Sequence, residues 1–181
     1  GFEDPSVRHS IAADLALADH YEVTIGELEL AVLRQARIHD PNALALLTSV
    51  SGIGKVLALT ILYEIHDIAR FPSVRDFASY SRLVKCERSS AGKSLGSGGT
   101  KIGNACLKCA FSEAAVLFIA KSEQGRTVLN RRERKYGKPK ALSVLAHKLG
   151  RAVYYMLARK QAFDPHGVMN IGTIIPRPTA S

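Results

Sequence analysis

From Val7 to Ile38 apolar residues recur at helical spacing: Ile11, Leu15, Ala18, Ile25, Leu28, Val32 and Ala36 mostly fall three or four positions apart. Side chains so spaced share one helix face, so the pattern predicts a long amphipathic helix or short coiled coil. Glu22 sits in the seam, and Val23-Thr24-Ile25-Gly26 predicts an interruption there. Such a stripe pairs with another helix, from this chain or a second copy. A short helix is expected over Asn42–Leu47, then a turn at Ser51-Gly52-Ile53-Gly54 and an apolar helix to about Ile65. Ser73-Val74-Arg75-Asp76 has the form of a capping box opening a further short helix. Residues 82–100 interleave Gly92, Gly96, Gly98 and Gly99 with Ser89, Ser90, Ser94 and Ser97, which predicts a loop with little room for regular structure.

The periodicity then returns. Gly103–Ala120 is expected to bury Leu107, Phe111, Ala114, Leu117 and Phe118, and Glu123–Tyr136 forms a basic helix stopped at Gly137 and Pro139. Lys140–Gln161 makes a last helix on Leu142, Leu145, Leu149, Val153 and Met156. The predicted fold is all-α: a helical connector over 1–41, a compact helical domain over 42–163, and an extended or disordered tail over 164–181. No internal repeat is evident.

Charge changes this picture more than composition does. Residues 1–81 carry 6 Lys/Arg against 11 Asp/Glu, a net of −5; residues 82–160 carry 18 against 4, a net of +14. A polarised chain of this kind fits a phosphate-backbone partner better than an ordinary solvated surface. The acidic residues of the first helix, Asp14, Asp19, Glu22, Glu27 and Glu29 among them, read as its solvated polar face. There is no apolar run long enough to span a membrane and no signal-peptide layout; three cysteines give no disulfide framework, so a reducing, cytoplasmic setting is expected. The absence of an initiator Met reads as a piece of something longer.

Two stretches carry candidate chemistry. Gly52-Ile53-Gly54-Lys55, between apolar segments, has the look of a helix-hairpin-helix: glycines permit the tight turn, and the next helix offers free N–H groups and its positive dipole end to a phosphate, with Lys55 adding charge. An ordinary helix–turn–helix joint is the alternative, and the hairpin can serve packing more than binding. The second stretch runs from Cys86 to Asn104. Gly92-Lys93-Ser94 resembles the end of a nucleotide-binding P-loop, but Glu87 stands where that motif needs its first glycine, so the P-loop is rejected. What remains is a serine-bearing loop crowded by Arg88, Lys93 and Lys101 and leading into a helix at Gly103-Asn104. Cations and backbone N–H groups are what a pentavalent phosphorus transition state requires, although most loop serines are merely solvated.

Cys106-x-x-Cys109 has metal or redox spacing, but without a second ligand pair buried cysteines are the expectation. His147 reads as a core or surface residue. Arg126, Arg131, Arg132, Arg134 and Lys135 make the basic helix a nucleic-acid reader of unspecified groove.

Taken together, Ser51-Gly52-Ile53-Gly54, Ile68-Ala69-Arg70-Phe71, Ser90-x-Gly92-Lys93, Thr100-Lys101-Ile102-Gly103-Asn104, Ala110-Phe111-Ser112-Glu113-Ala114 and Lys140-Ala141-Leu142-x-x-Leu145-Ala146-His147-Lys148-Leu149 follow in order. Over Leu46 to about Phe163, about two-thirds of the chain, they resemble the C-terminal transposase domain of the bacterial insertion-sequence family that includes Piv-type DNA invertases and bridge-RNA-guided recombinases. The resemblance implies a site-specific recombinase in which a RuvC-like domain, not found in this chain, holds magnesium with an acidic cluster. The C-terminal domain supplies a serine that links covalently to the DNA strand. Carried over, that serine is Ser90, with Ser89 its nearest competitor, while Lys93, Lys101 and Asn104 hold the loop or touch phosphates.

The resemblance further implies double-stranded DNA as partner, leaves a guide RNA open, and points to a homo-oligomer, dimer or tetramer, through the first helix. No membrane is implied, and the setting is the bacterial cytoplasm at the nucleoid. No cofactor and no metal ligand is expected within this chain, and the isolated piece is expected to be inactive. Cys109 stands where relatives often carry an aromatic residue. A non-catalytic nucleic-acid-binding module and a helical assembly domain are the competing readings.

Overall fold

Asp4 opens the first helix. Its carboxylate accepts the Ser6 backbone N–H at 2.8 Å, and Pro5 fills the first helical turn, where a missing N–H costs nothing. In the computed structural model, which describes residues 4–84, 87–90, 93–97 and 102–164, this helix, α1, runs unbroken over Pro5–His39. The interruption expected at 23–26 is absent. Each weak helix former there costs under about 1 kcal/mol, and good formers on both sides carry the helix through; the Thr24 hydroxyl donates to the His20 carbonyl at 2.9 Å. Of the apolar stripe, Leu15, Ile25 and Leu28 are more than half exposed. The chain divides into two compact units, Gly1–Pro41 and Asn42–Ser181.

The second unit is built from α2 (Pro41–Thr48), α3 (Lys55–Ile65), a 3-10 turn at Ile68–Arg70, α4 (Val74–Tyr80), α5 (Ala105–Lys121), α6 (Glu123–Tyr136) and α7 (Lys138–Arg159). Among the described residues the fold is all-helical apart from one hairpin between α4 and α5. There β1 (Glu87–Ser90) pairs antiparallel with β2 (Lys93–Ser97), setting Ser90 opposite Lys93 and Ser89 opposite Ser94. This corrects the expectation of an irregular loop: backbone pairing needs no apolar pattern, only two stems held side by side.

Hydroxyl and amide side chains start three of the helices. Ser73 accepts from the Asp76 N–H, Asn104 from Leu107 and Ser122 from Gly125, each relieving an N–H that the helix leaves unbonded. Gly137 ends α6 at φ 78°, and Pro139 lies in the first turn of α7, where proline is tolerated, so α7 begins two residues earlier than the pattern predicted.

The core lies where α5 and α7 pack together, with α3 against α5, α4 against α7 and α6 across both. Phe77, Leu107, Phe111, Phe118, Leu145, Leu149 and Val153 are fully buried there, each contributing on the order of 2 kcal/mol by leaving water. Phe77 meets Phe111 edge-on at 6.0 Å and Phe71 at 5.2 Å, and the Tyr154 hydroxyl donates to the Phe71 carbonyl. Leu117 and Leu142 are only half-buried. Both Cys106 and Cys109 are exposed, against expectation, because Leu107, Ala110, Phe111 and Ala114 occupy the core face of α5 and turn the cysteines outward. Cys86 and the tail from residue 165 lie outside the described residues.

Candidate nucleic-acid interface

The turn between α2 and α3 contains two glycines with different duties. Gly52 adopts φ 94°, and a Cβ there would lie 2.5 Å from the backbone nitrogen of Phe118 on α5. Its backbone is buried against that helix and is not presented to a phosphate, so the turn's first glycine serves packing, as one of the two readings of the motif held. Gly54 caps α3 in an extended conformation with open space around it and no side chain to bond the first N–H groups. Helix geometry leaves those N–H groups pointing outward beside the exposed Lys55.

The hairpin carrying Ser90 rises from a root tied by polar contacts on both stems. Arg82, at φ 52°, donates its Nε to the carbonyls of Ile102 and Gly103 at 3.1 and 3.0 Å. The Asn104 N–H donates to the Tyr80 carbonyl at 2.6 Å. Gly103 holds φ 96°, and a Cβ on it would stand 2.6 Å from the same Tyr80 oxygen. The Asn104 side chain is used at both ends: Oδ1 caps α5 through the Leu107 N–H at 2.8 Å, while Nδ2 donates to Glu64 and reaches the Tyr80 hydroxyl. Asn104 is thus bonded at the loop's root through both ends of its amide. Glu64 also pushes the Cys106 thiol above its usual range, through a hydrogen bond first and its charge second. Sequence reasoning missed Glu64, Tyr80 and Arg82, whose partners lie 20 to 40 residues along the chain.

Of the remaining candidates, Ser90, Arg88 and Lys93 are placed by their backbones in the strands, and Lys101 lies outside the described residues. Arg131 and Lys135 on α6 are exposed and Arg132 is half-buried. The Lys135 and Lys140 ammonium groups stand 5.3 and 4.7 Å from the centre of the Tyr136 ring, which draws cations to the corner between α6 and α7. Further along α7, Lys148 is only 7% exposed. Burial holds its ammonium below the usual lysine range, and repulsion from Arg132, Arg151 and Arg131 acts in the same direction. His147 is likewise lowered, by burial and then by Arg151 and Lys148. Lys148 and Arg151, which the apolar periodicity of α7 concealed, thus lie within electrostatic reach of the basic α6.

Among the described residues no three His, Cys, Asp or Glu side chains gather into a group able to hold a metal ion, so these residues do not fit magnesium. No helix among them is long and apolar enough to cross a membrane.

Residues 44–130 match the model of the transposase IS116/IS110/IS902 family. The match covers a little under half of the chain, from α2 through most of α6, and includes the hairpin and its root. It supports a transposase domain in this segment. A search of curated proteins finds no match to the chain.

Proposed function

We propose that this chain is the DNA-handling part of an insertion-sequence transposase in which Ser90 is the strand-cleaving nucleophile. The observation that carries the reading is the transposase family match over residues 44–130, which takes in Ser90 and the root that holds its hairpin. In the reaction, Ser90 Oγ bonds to a backbone phosphorus as the bond to one deoxyribose oxygen breaks. The proton given up by Oγ ends on the released hydroxyl. The phosphoserine conserves the energy of the phosphodiester, so the reverse attack by another strand's hydroxyl rejoins DNA without ATP. Arg88, Lys93 and Lys101 are the cations nearest in sequence to steady the charge on phosphorus.

The magnesium that the family resemblance brings belongs, in this reading, to a RuvC-like domain acting alongside, since the described residues offer it no ligand group. The exposed apolar positions of α1 pair protomers, and the basic segment from 82 to 160 takes double-stranded DNA, with a guide RNA as a second candidate occupant. The site of action is the bacterial nucleoid.

The test joins the chain with a RuvC-like domain of its own element, magnesium and donor DNA, and looks for a covalent protein–DNA band on a denaturing gel. A band lost in Ser90→Ala and kept in Ser89→Ala is the expected result. Loss only in Ser89→Ala moves the nucleophile by one residue. DNA binding by all three proteins with no band in any of them favours a second reading, a helix-hairpin-helix binding module without chemistry. The uncapped, exposed start of α3 beside Lys55 is the observation on its side.

A further inference from the structure

Along α1, Val7, Ile11, Tyr21, Ile25, Leu28 and Val32 each expose between 36% and 61% of their surface, in a unit made of this one helix. Because α1 runs unbroken, a single heptad frame holds them. Ile11, Ala18, Ile25 and Val32 recur at a, and Val7, Asp14, Tyr21 and Leu28 at d. The frame discriminates between the two ways a second copy can lie against this face. In a parallel pair each layer meets itself: Asp14 meets Asp14 between the helices, two Ala18 methyls leave one layer thin, and two Tyr21 rings crowd the next.

Reversed, the same positions pair a with d, and one register serves all of them. Val7 then meets Val32, Ile11 meets Leu28, and Ala18 makes room for Tyr21, each contact made twice about the two-fold axis. Asp14 falls against Ile25 and not against a second carboxylate, a polar position that costs stability while fixing the register. Charge at the flank agrees. Arg8 and Glu29 both occupy e positions, which lie side by side in the reversed pair. In a parallel pair they are about 32 Å apart along the helix.

We propose that α1 docks antiparallel on α1 of a second copy of this chain, with Val7 opposite the partner's Val32 and Arg8 beside the partner's Glu29. The proposal rests on the reading of α1 as the helix that pairs protomers, and adds its orientation and register. A face that complements itself on reversal, in layer size and in charge, is what a two-fold pair of identical chains requires. The two chains leave such a pair at its opposite ends.

The test uses the full chain with Cys86, Cys106 and Cys109 replaced by Ser, so that introduced cysteines are its only thiols. Val7→Cys and Val32→Cys are made separately, and a short bis-maleimide is applied to each alone and to an equal mixture of the two. Both positions are exposed, so neither change disturbs a core. Sedimentation across a concentration series measures association for wild type, Arg8→Glu, Glu29→Arg and the double variant.

The expected result is a covalent dimer in the mixture and none from either cysteine variant alone. Each single charge variant is expected to associate about tenfold more weakly, since two ion pairs per dimer become repulsions, and the double variant to recover. A covalent dimer from Val7→Cys alone means parallel pairing; it overturns the proposal and keeps α1 as the pairing helix. A double variant no tighter than the singles overturns the register. A monomer at every concentration overturns the orientation and the pairing reading together, and leaves the stripe to a different partner. None of these failures touches the Ser90 reading, which the covalent protein–DNA band tests separately.

Discussion

The root of the Ser90 hairpin and the α6–α7 seam are both polar places inside a helical unit, and they are built on opposite plans. At the root, Arg82 spends its Nε on two carbonyls, Asn104 bonds at both ends of its amide, and the Tyr80 carbonyl receives an N–H. Ser81 is the exception, its buried hydroxyl meeting no partner among the described residues. At the seam, burial and the charges of Arg132, Arg151 and Arg131 hold the Lys148 ammonium below the usual lysine range, and the buried Arg151 Nε meets no acceptor among the described residues. A polar cluster that satisfies itself is a structural device, because removing any member leaves another unbonded. A buried donor that meets no acceptor within the fold is not part of such a web, and its loss leaves no partner unbonded. The two therefore respond differently to substitution: the root loses more stability than the seam.

The largest effect belongs to the root. Replacing Gly103 with Ala places a methyl 2.6 Å from the Tyr80 carbonyl in a backbone conformation that L-residues rarely adopt. A loss of about 3 kcal/mol is expected in denaturant unfolding. By contrast Gly54→Ala, with open space around it, should cost less than about 1 kcal/mol. Similar losses at the two glycines would break the assignment of Gly103 as a sterically required position.

Asn104 comes next. Asn104→Ala removes the cap of α5 and the tie to Glu64 together, for an expected loss of about 2 kcal/mol. Asn104→Asp keeps an oxygen for the Leu107 N–H but sets a carboxylate beside Glu64, so its stability should fall between wild type and the Ala variant. If Asn104→Ala leaves unfolding unchanged and instead weakens DNA binding, Asn104 is a phosphate contact, and the contrast between the two regions is lost.

Much of this architecture was legible in the chain because helices are announced locally. Apolar spacing located α2, α3, α5 and α7, the stop at Gly137 and Pro139 bounded the basic α6, and Ser73 marked the start of α4 through a contact three residues long. The 3-10 turn at Ile68–Arg70 gave no periodic signal, being too short to show one. The strands of the hairpin were hidden for a different reason: Glu87–Ser90 and Lys93–Ser97 have no alternation of apolar and polar residues, and their pairing is a matter of backbone alone. At the candidate interface, Lys55, Arg131 and Arg132 stood out as charges on otherwise readable elements. Lys148 and Arg151 did not, since they sit among Leu145, Leu149 and Val153 and only the packing of α6 shows what faces them. The roles of Glu64 and Arg82 depend on partners distant in sequence, which spacing cannot announce.

The smallest expected effect tests the seam through a residue beside it. His147 is half-buried, and desolvation, then the charges of Arg151 and Lys148, hold its imidazole below the ordinary value of about 6.5. A depressed histidine is neutral in the fold and takes up a proton more readily when unfolded. Its contribution to stability is therefore whole above about pH 6.5 and is lost as the pH falls from there through the folded value. In the proposed reading, DNA phosphates on the basic segment reverse the local field by cancelling the charges that oppose protonation. The His147 ring-proton titration, followed by nuclear magnetic resonance, should show a midpoint below the ordinary value in the free protein. Saturating DNA duplex should move it upward, while Arg151→Gln should raise it in the free protein and shrink the response to DNA. By linkage, duplex affinity should rise as the pH falls across the same window, because the complex binds a proton that the free protein does not hold. A midpoint already at its ordinary value without DNA, or one that DNA leaves in place, would remove the electrostatic distinction between seam and root.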